Sequence, residues 1–181
     1  GLAGQRGTAL AVLPGGTVNV WATELGIKQD EADVARRIAA GHRQTIDLGQ
    51  VNSRYFLMMA SAGFDAETNA TVAETPELKK VKRRAGPLAY ALAALHTLRH
   101  FRGRRVTLDI DGSRISRRAL MVIVGNTRLY GGIAEITYQA RADDGLLDVC
   151  VLAGTGPLDL ARRFISVALR RHRQDPGIDY R

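Results

Sequence analysis

The sequence predicts an α/β segment followed by a β-rich α+β segment in one chain of 181 residues. Near the start, a short apolar run ends at consecutive turn residues and is followed by helical patterns, which gives a β-α-α order. After residue 43, short apolar segments alternate with turn signals and helical stretches. The composition changes near residues 41–44, so we expect two domains, at residues 1–43 and 44–181.

The first segment is predicted from its turn and capping residues. Residues 8–13 (TALAVL) indicate a buried strand that stops at Pro14-Gly15-Gly16. A helix is expected over residues 19–25, with Gly26 at its end. A second helix is expected to begin at a cap on Asp30 and to end at Gly41.

The second segment alternates predicted strands and helices. Its expected elements are strands at residues 44–48 and 55–61 joined by a turn at 49–53, a mostly helical stretch at 76–102, strands at 106–110, 114–116, 119–124 and 146–153, and a final amphipathic helix at 157–173. Asp111-Gly112 indicates a hairpin turn. In the final helix, Leu160, Phe164, Val167 and Ala168 are expected to face inward and the arginines outward.

Composition excludes several classes of protein. The net charge is +8, and the excess is clustered at residues 79–84, 99–105 and 170–173. Such clusters attract polyanions or anionic lipid, at about 1 kcal/mol per basic residue near a membrane. Aromatic residues make up 6% of the chain and no nucleic-acid motif is present, which argues against nucleic-acid binding. The single Cys150 fits a reducing cytosol, and no apolar run is long enough to span a bilayer.

Two loops could hold ligands. Residues 13–19 (LPGGTVN) place glycines between a strand and a helix, where backbone N–H groups can bind phosphate. The alternative is an ordinary turn with Thr17 as the helix cap. Asp143 and Asp144 enter a strand and suit a hard cation such as Mg²⁺, or they form a plain type I turn. His96 and His100 lack an acidic ligand beside them and indicate a surface pair.

Seven segments in register resemble the soluble diacylglycerol-kinase-type lipid kinases, whose relatives include sphingosine and ceramide kinases. They are LPGGTVN at 13–19, IDLG at 46–49, YF at 55–56, AGFDA at 62–66, GPLAY at 86–90, GN with YGG at 125–132, and DGLLDV at 144–149. The resemblance covers the full chain. It implies that residues 1–43 form the C-terminal part of an ATP-binding α/β domain and that residues 44–181 form a β-sandwich-like domain with flanking helices.

The resemblance also implies site residues and cofactors. Gly15, Gly16 and Thr17 would belong to a nucleotide-phosphate loop that Asn19 supports, and Asp47 would be linked through water to the catalytic Mg²⁺. A second, structural Mg²⁺ would be held by a separate set of ligands, namely Asp144 and the backbone carbonyls of Arg141 and Leu146. The implied reaction is transfer of the ATP γ-phosphoryl group to a lipid hydroxyl such as that of diacylglycerol. We expect the enzyme to be cytoplasmic and peripheral at the inner face of an anionic membrane, and a homodimer stays open.

Three features depart from the family pattern. Val20 stands where the family commonly has a metal-network aspartate. The Gly-Gly-Asp-Gly-Thr nucleotide signature that precedes LPGGT in the family does not occur in the chain, and the family's general base would lie beyond Arg181. We therefore expect a chain truncated at both ends that holds no catalytic base and is inactive alone. A non-catalytic module that binds anionic lipid or another polyanion is the alternative function.

Overall fold

A computed structural model describes residues 9–15, 19–27, 30–76, 92–132 and 134–181. The chain divides into two compact units, each assembled from two separated segments. The first unit is Gly1–Ala60 with Gly125–Asp148, and the second is Ser61–Val124 with Val149–Arg181. The domain boundary between residues 43 and 44 stays a prediction.

The described elements follow one another in this chain order: α1 (Val20–Glu24), α2 (Glu31–Ala39), β1 (Gly49–Val51), β2 (Arg54–Phe56), β3 (Met59–Gly63), α3 (Phe64–Glu74), α4 (helical residues 92–100), β4 (Arg104–Ile110), β5 (Ser113–Gly125), β6 (Leu129–Tyr130), β7 (Ala134–Glu135), β8 (Asp148–Ala153), α5 (Pro157–Ala168), a 3-10 turn (His172–Gln174) and β9 (Ile178–Tyr180).

Among its described residues, the first unit contains two short helices and two small hairpins, β1–β2 and β6–β7, both antiparallel. Asp30 caps α2 as expected, because its Oδ1 accepts hydrogen bonds from the backbone N–H groups of Ala32 and Asp33 at 3.0 and 3.2 Å. Gly26 and Gly41 follow the two helices with φ of 64° and 70°, the left-handed conformation that ends a helix.

Two predicted strands of the first unit are wrong. Residues 9–13 are irregular, and so are residues 42–48. The hairpin lies later than expected, at Gly49–Phe56, with its turn at Asn52 and Ser53 rather than across residues 49–53. Asn52 has a φ of 54°, which asparagine tolerates. Gly49 pairs with Phe56, and the Phe56 ring occupies the place that a Cβ on residue 49 would take. Glycine at this position therefore allows the ring to pack across the hairpin.

The second unit is organised around a five-stranded sheet in the order β3-β5-β8-β9, in which β4 also pairs with β5. Asp111 and Gly112 turn β4 into β5 with φ of 49° and 80°, as the sequence predicts. Below this turn the pairs run in register from Ile110 opposite Ser113 to Arg104 opposite Ala119. The β8–β9 pair is also antiparallel.

The core of this unit is a cluster of buried apolar side chains contributed by both helices and strands. Its members are Phe64, Phe101, Leu120 and Leu160, with Ala94, Leu98 and Phe164 packed against them. Phe64 meets Phe101 and Phe164 edge-on, with ring centroids 5.4 and 5.9 Å apart. Such aromatic pairs add about 0.5–1.5 kcal/mol each beyond the apolar area they bury.

The structure corrects several predictions for the second unit. Residues 114–116 and 119–124 belong to one long strand, β5, and β8 begins at Asp148 rather than at Leu146. Helix α3 and strand β9 were not predicted. Of the stretch expected to be helical, Pro76 and residues 92–100 are helical, and residues 77–91 lie outside the described part.

The final helix ends earlier than predicted and buries an arginine. Helix α5 stops at Ala168, not at residue 173, and Ala168 is exposed. Arg163 faces inward, where it forms an ion pair with Asp175 and donates from Nε to the carbonyl of Ala153 at 3.2 Å. Arg163 lies inward because the Asp175 carboxylate and the Ala153 carbonyl accept its hydrogen bonds there. No local sequence pattern reveals these partners. The predicted β-rich unit with flanking helices is nevertheless confirmed.

Candidate functional site

Asp47 lies in the irregular segment before β1 and is held at three points. Its backbone N–H donates to the carbonyl of Ala142 at 2.7 Å. Its carboxylate Oδ2 accepts from the backbone N–H of Gly145 at 2.7 Å, and its carbonyl accepts from Nδ2 of Asn126 at 2.9 Å. The segment lacks strand pairing because its polar groups bind these two loops instead.

The loop after β7 carries the predicted metal ligands. Asp144 is exposed, and its Oδ1 accepts from the backbone N–H of Leu146 at 3.0 Å, so the carboxylate folds over its own turn. Gly145 adopts a φ of 75° between them. Asp143 is tied down separately, by Nε2 of Gln44 at 3.0 Å and by Nε of Arg141 at 3.4 Å. The turn that the sequence allowed here is therefore present and leaves Asp144 at the surface.

The structure brings two predicted sites together. Asp47 and Asp144 are 97 positions apart in sequence and were assigned to different Mg²⁺ ions. The hydrogen bond from Gly145 to Asp47 places the Asp47 carboxylate against the residue next to Asp144. Carboxylates and the carbonyls of Arg141 and Leu146 are hard oxygen donors, so these residues fit Mg²⁺. Among the residues described, no group of three His, Cys, Asp or Glu side chains forms a metal site, and a set of one carboxylate and two carbonyls would not be such a group.

The glycine turn at residues 13–19 is described in part. Gly15 is exposed and donates its N–H to the carbonyl of Leu13 at 2.9 Å, while Gly16 and Thr17 lie outside the described residues. Asn19 is the N-cap of α1, and its Oδ1 accepts from the backbone N–H of Ala22 at 3.1 Å. The helix cap is therefore Asn19 and not Thr17. This cap fixes the direction in which the chain leaves the turn.

Two further contacts were not found from the sequence. Glu24, at the end of α1, accepts from Nε of Arg128 and from the backbone N–H of Leu129, both at 3.0 Å, and its side chain is only 10% exposed. Asn126 is fully buried and binds backbone carbonyls. The sequence offered one signal for these contacts, the Gly-Asn-Thr-Arg segment at residues 125–128. The residues that this segment contacts lie about 70 to 105 positions away in the sequence, so no local pattern identifies them.

Close packing against Thr137 explains why a glycine, Gly125, precedes Asn126. A Cβ on Gly125 would lie 2.8 Å from both Cβ and Cγ2 of Thr137. Thr137 is itself buried and donates from Oγ1 to the carbonyl of Thr127 at 2.6 Å. Glycine is needed so that this threonine can approach the strand end and hold the loop that begins at Asn126.

Comparison with known proteins defines the class. Residues 58–180 match the family described as the YegS C-terminal NAD kinase beta sandwich-like domain, and residues 1–51 match the diacylglycerol kinase catalytic domain. The chain therefore carries parts of both domains of this class.

Relatives and solved structures agree with this class. A diacylglycerol kinase of Staphylococcus aureus (strain JH9) is 27% identical over 171 residues, which are 94% of this chain and 53% of that protein. A solved structure from Bacillus anthracis (strain Sterne) superposes with a TM-score of 0.72 at 24% identity, over 96% of this chain and 56% of the other, and shows the fold. A crystal structure of a diacylglycerol kinase from the same strain gives a TM-score of 0.58 at 29% identity, covering 85% and 48%.

The chain belongs to the diacylglycerol kinase family, in agreement with the resemblance of its motifs. It spans about half the length of the curated relatives that it matches. Within the described ranges, no helix is long and apolar enough to cross a membrane.

Proposed function

We propose that the chain is part of an ATP-dependent lipid kinase that transfers the γ-phosphoryl group to a lipid hydroxyl such as that of diacylglycerol. The observation that carries this is the 2.7 Å hydrogen bond between Gly145 N and Asp47 Oδ2, which joins two acidic segments implicated in metal binding. Membership of the diacylglycerol kinase family supports the same reaction.

Each segment of the site has a role in this proposal. Gly15, Gly16 and Thr17 bind nucleotide phosphates through backbone N–H groups, and Asn19 fixes the end of the turn. Asp144 and the carbonyls of Arg141 and Leu146 would hold one Mg²⁺, and Asp47 would be linked through water to another. Bound Mg²⁺ would neutralise charge on the phosphate oxygens. The family resemblance assigns none of these residues as the base that accepts the lipid hydroxyl proton, and on that ground we propose that residues 1–181 alone are inactive.

The lipid substrate implies a membrane partner, and the β4–β5 hairpin offers a surface for it. One face of the hairpin is exposed throughout; it carries Arg105, Thr107, Asp109, Arg114, Ser116 and Arg118. Arg105 lies directly opposite Arg118, and like charges in that position repel. Arg114 is paired with Asp109 at 3.7 Å. An anionic cytoplasmic membrane surface would relieve the repulsion between the other two arginines.

Vesicle sedimentation tests the membrane partner. The doubly substituted Arg105→Gln, Arg118→Gln chain should bind phosphatidylglycerol vesicles about thirtyfold less tightly at low salt, since each arginine contributes about 1 kcal/mol near an anionic surface. Arg36→Gln with Arg54→Gln removes two exposed arginines elsewhere and is the matched control. Equal binding by both variants would rule out the hairpin face.

The alternative function is a non-catalytic module that binds anionic lipid. Val20 favours it, because an apolar side chain in the family's acidic position removes a metal contact. The structure places Val20 as the first residue of α1, directly after the Asn19 cap.

Transfer of labelled phosphate from ATP to diacylglycerol in mixed vesicles separates the two functions. The complete gene product should carry out the transfer, and Asp47→Asn and Asp144→Asn should each reduce it by at least about tenfold, since positioning and charge neutralisation dominate this reaction. Asp111→Asn is the control, because it removes an exposed hairpin carboxylate and asparagine tolerates a positive φ. Vesicle binding without any transfer would support the alternative and refute the kinase.

A further inference from the structure

Asn126 is a buried amide at the start of the loop after β5, and its side chain binds only backbone groups. Its Nδ2 donates to the carbonyls of Asp47 and Leu57, both at 2.9 Å. Its own backbone N–H donates to the carbonyl of Met58 at 2.7 Å. Its relative exposure is 0%. One residue therefore holds the chain on both sides of the β1–β2 hairpin.

We infer that Asn126 is the positioning residue for the Asp47 carboxylate. Asp47 has no strand partner, so its place depends on the bonds to Asn126, Ala142 and Gly145. Ala142 and Gly145 bind Asp47 through their backbone groups, whereas Asn126 binds it through its side chain, so substitution of Asn126 removes the bond. The inference rests on the proposed function only for its kinetic consequence, because the geometric consequence can be measured without catalysis.

The hydrogen bonds of Asn126 indicate that asparagine is present at this position for the two N–H donors of its amide. The Oδ1 atom of the same amide is buried and has no hydrogen-bond partner among the described residues. An unpaired buried polar atom costs about 1–3 kcal/mol, so an amide that only filled space would be replaced by an apolar side chain at a gain. The two N–H groups of Nδ2 point to two carbonyls 10 positions apart in sequence, which a hydroxyl or an apolar side chain cannot bind at once.

Amide hydrogen exchange tests the geometry in the 181-residue chain. Asn126→Ala removes both donors, and the N–H of Gly145 should then exchange about tenfold faster, because its acceptor on Asp47 is no longer held in place. Amides of residues 149–153 of β8, which lie in the second unit, should be unchanged. Asp30→Ala is the control in the same unit: it removes the side-chain-to-backbone hydrogen bonds that cap α2 and none that hold Asn126 or Asp47, so exchange at Gly145 should be unchanged.

Asn126→Ser provides a milder second variant, since a hydroxyl donates one bond. It should accelerate exchange at Gly145 less than alanine does. Unchanged exchange at Gly145 in both variants would overturn the inference. Failure of both variants to fold, while Asp30→Ala folds, would also overturn it, because Asn126 would then serve stability in general.

A kinetic measurement on the complete gene product completes the test. The Mg²⁺ concentration that gives half-maximal phosphate transfer should rise about tenfold in Asn126→Ser, with a smaller change in the KM for lipid. A purely structural role would lower the amount of active enzyme without moving the Mg²⁺ dependence, and that result would count against positioning. If exchange at Gly145 responds as expected but no transfer occurs in any variant, the kinase proposal fails and the positioning role stands.

Discussion

Replacing Asp175 with alanine should destabilise the second unit strongly. The side chains of Asp175 and Arg163 are 7% and 11% exposed and form an ion pair. Gly177 also donates its N–H to Asp175 Oδ1, at 3.0 Å. Alanine would leave a buried guanidinium without its counter-charge and a backbone N–H without its acceptor.

The magnitude follows from these contacts. Removing one partner of a buried ion pair costs about 3–5 kcal/mol, and the lost Gly177 bond adds about 1 kcal/mol. In a chain of this size each kcal/mol lowers the Tm by about 2–4 °C, so the expected drop is roughly 8–24 °C. Asp109→Ala is the matched control. Its partner is Arg114 at 3.7 Å, both side chains are more than half exposed, and such pairs contribute about 0–1 kcal/mol.

Urea unfolding followed by far-UV circular dichroism measures both variants. Burial raises the pKa of Asp175, but the hydrogen bonds from Arg163, the Gly177 N–H and Ser166 outweigh it, and the net pKa lies below the ordinary 3.8. A lowered folded-state pKa contributes stability above 3.8 that is lost as the pH falls through the lowered value. The gap between native chain and Asp175→Ala should therefore be constant near neutral pH and shrink in acid. A loss no larger than that of Asp109→Ala would refute the reasoning.

Three further outcomes are expected. Gly125→Ala should lower the free energy of unfolding by about 1–3 kcal/mol by forcing a Cβ into Thr137, whereas Gly15→Ala, with no atom within 4 Å of the added Cβ, should leave it within about 0.5 kcal/mol. Burial, with Asp179 nearby, raises the pKa of Cys150 to about 12, so a thiol reagent at mildly alkaline pH should label it only in urea; labelling of the folded chain would contradict this. Asp30→Ala should cost about 1 kcal/mol by removing the α2 cap, and an unchanged urea midpoint would show that the cap is dispensable.

Local chemistry made part of the fold predictable. Helix α2 has an aspartate cap at one end and a left-handed glycine at the other, and the Asp111-Gly112 turn can form few structures other than a tight hairpin. Helix α3 was not predicted because its buried face includes a polar residue, Thr68, which interrupts the apolar pattern of a helix. Thr68 can be buried because its hydroxyl donates to the carbonyl of Phe64 at 2.9 Å. Strand β9 was missed because three residues acquire strand structure only by pairing with β8.

The candidate site was predictable only as separate segments. Asp47 was found from the family resemblance, Asp144 from its carboxylate pair as well as from the resemblance, and no periodicity in the sequence joins them. Their proximity depends on hydrogen bonds across 98 positions, from Gly145 to Asp47, and across 79 positions, from Asn126 to Asp47. Contacts of this kind involve backbone groups, which every residue has, and so they leave no compositional signal.

The bonds of Asn126 have an evolutionary consequence. All three acceptors around it, on Asp47, Leu57 and Met58, are main-chain carbonyls. Positions 57 and 58 can therefore change side chain without altering the hydrogen bonds that fix Asp47. Substitution should be tolerated at these two positions far more readily than at Asn126, which would let relatives diverge widely in sequence while this carboxylate keeps its place.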